Sequence, residues 1–284
     1  MADHSTIEHV DASWNPVSGC RPCSPGCAHC FAARLTAEHD PGRDFREIRL
    51  HPDRLGIPAT WRQHRRILVC SMGDLFHPEV PAAFIGRVFR AMAASPQHSY
   101  LVLSKHPGRM GPVLYGDTSG SGLRAGQALP HVWLGTSIED QTWTDRRLPL
   151  LLGSGWPGRF WVSAEPLLGP ITLGAYLPFL AWAVGGGESG LDARGAHPAW
   201  VRSLRDQCLT HGLPWFWKQW GNRVHRSLLD DRSARQGIDE WVTMRSRAEG
   251  GRMLDGVEWT QIPPEIAGPH SPQLGLFTKY ERTQ

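Results

Sequence analysis

Six short apolar runs dominate the middle of this chain of 284 residues: "RILVCS" (66–71), "YLVLSK" (100–105), "VWLGTS" (132–137), "FWVSAE" (160–165), "LAWAVGG" (180–186) and "PWFWKQ" (214–219). Each is the length of one strand, rich in β-branched and aromatic side chains, and too continuously apolar to keep one face in water. Each therefore reads as a strand buried on both sides. The runs recur about every 20 to 40 residues. Helical periodicity fills several of the gaps: Phe84, Ile85, Val88, Phe89 and Met92 in one, and Trp200, Val201, Leu204 and Cys208, ending at Gly212, in another. Strand alternating with helix at this spacing predicts consecutive right-handed βαβ units and a parallel sheet, with "EHVDASWNP" as a first strand.

Every run ends in polar or ionisable residues: Ser71 and Asp74, Ser104 and Lys105, Thr136 and Glu139, Ser163 and Glu165, Glu188, then Lys218 and Gln219. Parallel strands deliver their carboxyl ends to one rim, so these groups converge. The expected fold is α/β, a partial or full parallel (β/α) barrel with one active mouth. Residues 1–221 make up the barrel on this reading. After Gly221 the chain becomes charge-rich with sparse apolar positions, and 222–284 reads as a C-terminal extension packing on the barrel. The Gly- and Ser-rich "MGPVLYGDTSGSGLRAGQALPH" reads as a surface excursion.

No run of eighteen apolar residues occurs, and the N-terminus has neither a basic start nor an apolar core, so no membrane partner is expected and the chain reads as cytoplasmic. In a reducing compartment, clustered cysteines are metal ligands or catalytic thiols more often than disulfides. Four of the six cysteines, Cys20, Cys23, Cys27 and Cys30, fall in the stretch "CRPCSPGCAHC", and Cys70 and Cys208 sit in apolar patterns as structural thiols. The two CxxC pairs are separated by three residues. Structural zinc sites space such pairs by a dozen or more residues, so the compact run points instead to a loop wrapping an iron–sulfur cluster, with Pro22, Pro25 and Gly26 as turn formers.

Cys23, Cys27 and Cys30 have the spacing CxxxCxxC, which resembles the radical S-adenosylmethionine (radical SAM) superfamily. That resemblance implies a 4Fe-4S cluster held by three thiolates, with its fourth iron open to S-adenosylmethionine. It also implies reductive cleavage of that cofactor to a 5'-deoxyadenosyl radical, and an external electron donor. A closer resemblance, carried by "WNPVSGC", "SPGCAHCFA", "SMGDLFHPEVP", "WLGTSIED", "SAEPLLGP", "GGGESG", "PWFWKQWG" and "RMLDGVEW", is to the phage Gp37/Gp68 three-cysteine-motif family, itself radical SAM-like. In that family the first ligand corresponds to Cys20 and the position of Cys23 is usually not cysteine. The wider superfamily's spacing selects Cys23, the closer family Cys20, and all four thiols stand as metal ligands.

"GGGESG" satisfies the dinucleotide fingerprint GxGxxG, but no helix opens directly after it, so that reading fails. The resemblance places S-adenosylmethionine instead on the backbone of Ser71 to Gly73 and the carboxylate of Asp74, with Gly186 and Gly187 along its adenosine and Glu188 beside them. The chain has only three lysines, Lys105, Lys218 and Lys279. Two end strands, where a compact, deprotonable amine suits a cofactor carboxylate or an anionic substrate. Lys105, Glu165 and Lys218 are accordingly the candidate catalytic residues. The substrate expected is a nucleotide or nucleic acid, met by Lys105, Lys218, the cluster Arg62, Arg65 and Arg66 beside Trp61, and stacking Trp217 and Trp220. The competing reading is an iron–sulfur or zinc-bearing nucleic-acid-binding protein without radical chemistry.

Overall fold

The computed structural model describes residues 5–116, 121–190, 192–229 and 240–268. Seven strands form one sheet in chain order, all parallel: β1 (Ala12–Trp14), β2 (Arg66–Val69), β3 (Ser99–Ser104), β4 (Val132–Ser137), β5 (Phe160–Ala164), β6 (Leu180–Gly185) and β7 (Trp215–Trp217). All six apolar runs, and the segment before the cysteines, are strands of this sheet. Between them lie α1 (Phe31–His39), α2 (Ala82–Ala93), α3 (Met110–Tyr115), α4 (Gln141–Leu152) and α5 (Pro198–Thr210), with a 3-10 helix (Gly174–Phe179) taking the β5-to-β6 crossover. The sequential order follows from short right-handed crossovers, each returning the chain beside the strand just left.

Alternation sorts the strand side chains onto two faces. Ile67, Val69, Tyr100, Val102, Leu134, Val162 and Trp215 join one core cluster with Phe84, Ile85, Val88 and Phe89 of α2 and Val201 and Leu204 of α5. On the other face, Leu68, Leu101, Trp133, Trp161, Trp182 and Phe216 gather into a second cluster of their own. That second cluster requires the sheet to be curled. Seven flat strands would separate β1 from β7 by roughly 29 Å at ordinary interstrand spacing. Yet His9, just before β1, lies 6.1 Å, 5.6 Å and 5.9 Å from the rings of Trp161, Trp182 and Phe216 on β5, β6 and β7. The fold is a parallel α/β half-barrel whose floor is filled with tryptophan.

Filling it so tightly needs a gap on β4. Gly135 pairs with Trp161 in register, and a Cβ at Gly135 would stand 2.5 Å from Trp161 Nε1. The third residue of each run therefore faces either helix or floor, and the polar groups that follow are carried past the tryptophans to the mouth.

The Gly- and Ser-rich excursion is only partly a loop: Met110, Val113 and Leu114 of α3 are buried, because the apolar residues at its start continue a helix from β3, while 117–120 lie outside the described residues. Beyond Gly221, the described segment runs against β7. Trp217 N donates to Trp259 O at 2.7 Å, Gln261 N donates to Trp215 O at 3.1 Å, and Ile266 joins the floor cluster. The rest of the expected extension, 230–239 and 269–284 with Lys279, lies outside the described residues. No helix among the described residues is long and apolar enough to cross a membrane.

Gly135→Ala is expected to cost about 1–3 kcal/mol through overpacking against a tryptophan that has no free direction to move. Urea denaturation of the two proteins measures this, and an unchanged midpoint would mean the floor is looser than its geometry implies.

Candidate active site

At the carboxyl edge of the sheet, the chain leaves β1 through Val17 and Ser18, which pair with Arg49 and Leu50, and reaches Gly19 in the left-handed region at φ +91°. Gly19 N donates to Met72 O at 2.9 Å and Cys20 N to Phe45 O at 2.9 Å, so the cysteine loop starts locked against the loop after β2. A short 3-10 turn (Pro25–Cys27) follows, and α1 opens directly after Cys30. All four thiols are free and half-buried, whereas Cys70 and Cys208 are fully in the core.

Two buried carboxylates grip this loop from opposite sides. Glu139, after β4, is entirely buried. It accepts from Ser24 Oγ (2.5 Å), Gly26 N (2.6 Å), Lys105 Nζ (2.7 Å) and Arg147 Nη1 (3.1 Å). A Cβ at Gly26 would fall 2.5 Å from the Glu139 carboxyl carbon, so only glycine admits the contact. Glu188, after β6, accepts from Arg194 N at 2.9 Å, Arg194 Nε at 2.8 Å, Arg194 Nη2, and His29 Nδ1 at 2.9 Å. Arg194 Nη2 also donates to Pro25 O at 3.0 Å. Burial alone would raise both acids, but Lys105 and the loop donors hold Glu139 below its ordinary value, and Arg194 with His29 does the same for Glu188.

Lys105 reaches past Glu139 to Cys27, with Nζ 3.4 Å from its Sγ. Cys27 is held toward thiolate first by the hydrogen bond from Cys23 and then by the Lys105 charge, and Cys23 is pushed up as the donor. Cys20, by contrast, is pushed up to about 12 by burial and by Asp74. A cavity of about 600 Å³ opens over the loop, and Cys20, Cys27 and Cys30 face it while Cys23 does not. Arg21, Arg34 and Arg46 rim the same cavity together with the carboxylates Asp44 and Asp192, and His29 and Phe45 also line it. Cys23 turns instead toward Arg147, whose Nη2 is 3.9 Å from its Sγ. Among the described residues, no three His, Cys, Asp or Glu side chains gather closely enough to hold one metal ion.

The remaining expected residues follow the strand ends but do not line this cavity, and they have partners of their own. Asp74 is buried and accepts from Phe76 N (2.9 Å), Ser104 Oγ (2.7 Å) and Lys105 N (2.8 Å). Ser71 Oγ donates to Asn15 Oδ1 at 3.3 Å, and Gly73 bridges Gly19 across the loops. Gly186 and Gly187 face Glu165 and the Trp220 carbonyl, where Cβ atoms would meet oxygens at 2.9 and 2.0 Å. Lys218 Nζ donates to both oxygens of Glu165, at 2.7 and 2.6 Å. Two groups expected to meet a nucleic acid lie away from this cavity. Trp217 and Trp220 are fully buried in the helix-side core and offer no face for stacking, because β7 needs apolar cover on its outer side. Arg66 pairs with Asp11 at 2.7 Å at the amino end of β2, opposite the mouth, and Arg65 stacks on Trp61 at 5.2 Å beside it.

Sequence reasoning placed Glu139 on the rim without a role and passed over Arg147 and Arg194. One local signal was available: Asp140 caps α4 by accepting from Trp143 N at 3.0 Å, which leaves Glu139 as the carboxylate of "SIED" free to face the mouth. Arg147 sits one turn along the same face of α4 from Trp143, its guanidinium 4.3 Å from the indole centre, so that α4 itself aims the cation.

In metal-free protein, a thiolate persists above its pKa, so at pH 6 Cys27 is expected to alkylate well ahead of Cys20. Lys105→Met should narrow that lead without abolishing it, since the hydrogen bond from Cys23 remains, and peptide mass spectrometry of iodoacetamide-treated protein reads it. Equal rates at all four cysteines would contradict the electrostatics described.

No curated protein matches this chain at a significant level. Among solved structures, spore photoproduct lyase complexed with dinucleoside spore photoproduct is similar, at 13% identity over 67% of this chain and 58% of that one, with a TM-score of 0.39. A double mutant of the same lyase with bound AdoMet and dinucleoside spore photoproduct is similar at 11% identity, 80% and 62% coverage and a TM-score of 0.41. The chain spans less than two thirds of the length of those proteins. From residue 4 to residue 263 it matches the family described as protein of unknown function DUF5131, and it belongs to that family.

Proposed function

We propose that this chain is a radical SAM-type iron–sulfur enzyme, and that the phage Gp37/Gp68 resemblance describes the same family of barrels. The observation that supports it best is that Cys20, Cys27 and Cys30 open onto one cavity at the mouth of a parallel half-barrel. An all-thiolate donor set is soft, suiting iron–sulfur or zinc, and three thiols facing a roomy cavity suit a cluster body more than a single ion. A 4Fe-4S cluster, when bound, would supply an electron to the sulfonium of S-adenosylmethionine.

The chain's own residues then divide the work. Cys20, Cys27 and Cys30 hold the cluster, and Cys23 stands behind Cys27 as a hydrogen-bond donor. Lys105 steadies Cys27 with its charge, and Asp74 fixes Lys105 through the backbone. Glu188 holds the loop over the mouth. Outside the cavity lining, the Lys218–Glu165 ion pair and the backbone of Ser71, Gly73, Gly186 and Gly187 at the strand ends are the further groups this reading assigns to the cofactor or substrate. The tryptophan floor keeps water out from below, as a reactive intermediate requires.

The substrate in this reading is a nucleotide or nucleic acid, reached through the cavity rim. Arg21, Arg34 and Arg46 offer phosphate contacts and Phe45 an aromatic face, replacing the expected Trp61 cluster and the buried Trp217 and Trp220. Among the described residues Arg21 and Arg34 form ion pairs with the exposed Glu79 and Glu38, weak partners that a phosphate can displace.

Anaerobic reconstitution is expected to give a brown protein with about four irons per chain, which on reduction cleaves S-adenosylmethionine to 5'-deoxyadenosine and methionine. Cys20→Ala, Cys27→Ala and Cys30→Ala should each abolish iron uptake, and Cys23→Ala should retain it. A colourless protein carrying one zinc would overturn the reading in favour of a zinc-bearing nucleic-acid-binding protein. For the substrate, combined alanine replacement of Arg21, Arg34 and Arg46 should weaken single-stranded oligonucleotide binding and flatten its salt dependence by a slope of about 0.7 per lost phosphate contact. A wild-type protein with an intact cluster that binds no oligonucleotide at low salt would point to a small-molecule substrate.

A further inference from the structure

Glu139 has more bonds to the cysteine loop than the proposed chemistry uses. Its carboxylate is wholly buried, and two of its four donors, Ser24 Oγ and Gly26 N, belong to the turn between Cys23 and Cys27. The other two donors are cations that each continue to a sulfur: Lys105 to Cys27 at 3.4 Å and Arg147 to Cys23 at 3.9 Å. One side chain therefore fixes both the shape of the loop and the charge beside its thiols. Two cations face one carboxylate here, and a thiolate at Cys27 shares the Lys105 ammonium with it.

We infer that Glu139 is a positioning residue which seats the cysteine loop and, by neutralising Lys105 and Arg147, sets how readily the metal–sulfur centre held there accepts an electron. The inference rests on the proposed reading of the thiols. Hydrogen bonds to cluster sulfurs and local net charge are the levers that set such potentials. If Glu139 loses its charge, Lys105 and Arg147 act unopposed on the sulfurs and favour the electron-rich state. When Lys105 loses its charge, Glu139 remains and the balance tips the other way. A residue with only a structural role would shift both variants alike or neither.

The test is anaerobic reconstitution of wild type, Glu139→Gln, Lys105→Met and the double variant, with iron and sulfide assays, electron paramagnetic resonance and a mediated redox titration. Glu139→Gln is expected to move the midpoint potential to less negative values, Lys105→Met to more negative values, and the double variant back toward wild type. Gly26→Ala, which crowds the carboxylate but leaves every charge in place, should lower iron content several-fold with the potential of the remaining cluster unchanged. Shifts of the same sign in both single variants, or no shift at full iron content, would overturn the inference. Should Glu139→Gln not fold, Glu139→Asp keeps the charge and shortens the reach: it is expected to lose iron without a change of potential, and full wild-type loading would overturn the seat. A wild-type protein that takes up no cluster sinks the proposed function instead. The seat is then read in metal-free protein, where Glu139→Gln should raise alkylation of Cys23 several-fold and wild-type rates would refute it.

Discussion

A carboxylate taken wholly out of water is tolerated only where donors replace its hydration, and the mouth of this barrel is organised around that requirement at Glu139. Four donors converge on it from three separate parts of the chain: the cysteine loop, the end of β3 and the first turns of α4. Each arrival constrains its own segment. Position 26 must be glycine, residue 105 must leave β3 pointing at the loop, and α4 must present Arg147 with Trp143 beneath it. Removing one partner of such a buried group typically costs about 3–5 kcal/mol because the charge left behind has nothing to face.

The opposite grip, Glu188 with Arg194 and His29, makes the loop a bridge rather than a flap. Pro25 O receives Arg194 from the β6 side while Ser24 and Gly26 are held from the β4 side. Three successive residues are thus bound to opposite walls of the mouth. The turn between Cys23 and Cys27 is thereby fixed from both walls by hydrogen bonds of the protein itself.

Below the mouth, the interior is indole rather than polar. Trp133, Trp161 and Trp182 fill the curl, and burial holds His9 neutral among them. Polar chemistry is thereby confined to the carboxyl rim, where every strand delivers at least one donor or acceptor. Most of those groups already have protein partners. At the cavity rim the ion-pair partners of Arg21 and Arg34, Glu79 and Glu38, are half exposed, unlike the buried Glu139 that Lys105 faces.

Much of this was legible along the chain. Apolar runs at βαβ spacing determine a parallel sheet, because strands that are hydrophobic throughout need cover on both faces and the intervening helices supply it. The polar residues that end each run determine which edge of the sheet gathers ionisable groups, and Cys20, Cys23, Cys27 and Cys30 crowd one loop beside that edge. What the one-dimensional order could not decide is which side chains meet. Lys105 and Glu165 read as free catalytic groups, yet each faces an opposite charge more than thirty residues away, at Glu139 and Lys218. Trp217 and Trp220 read as exposed, yet alternation on a curled sheet turns Trp217 outward under the helices and folds Trp220 in beside it. Cys20 and Cys23 are each selected by a different resemblance, and only the walls of the mouth separate them, turning one to the cavity and the other to Arg147. Local propensity and periodicity act within a few residues and survive in the sequence; pairing across the barrel depends on curl and register, which exist only once the strands have closed around their floor.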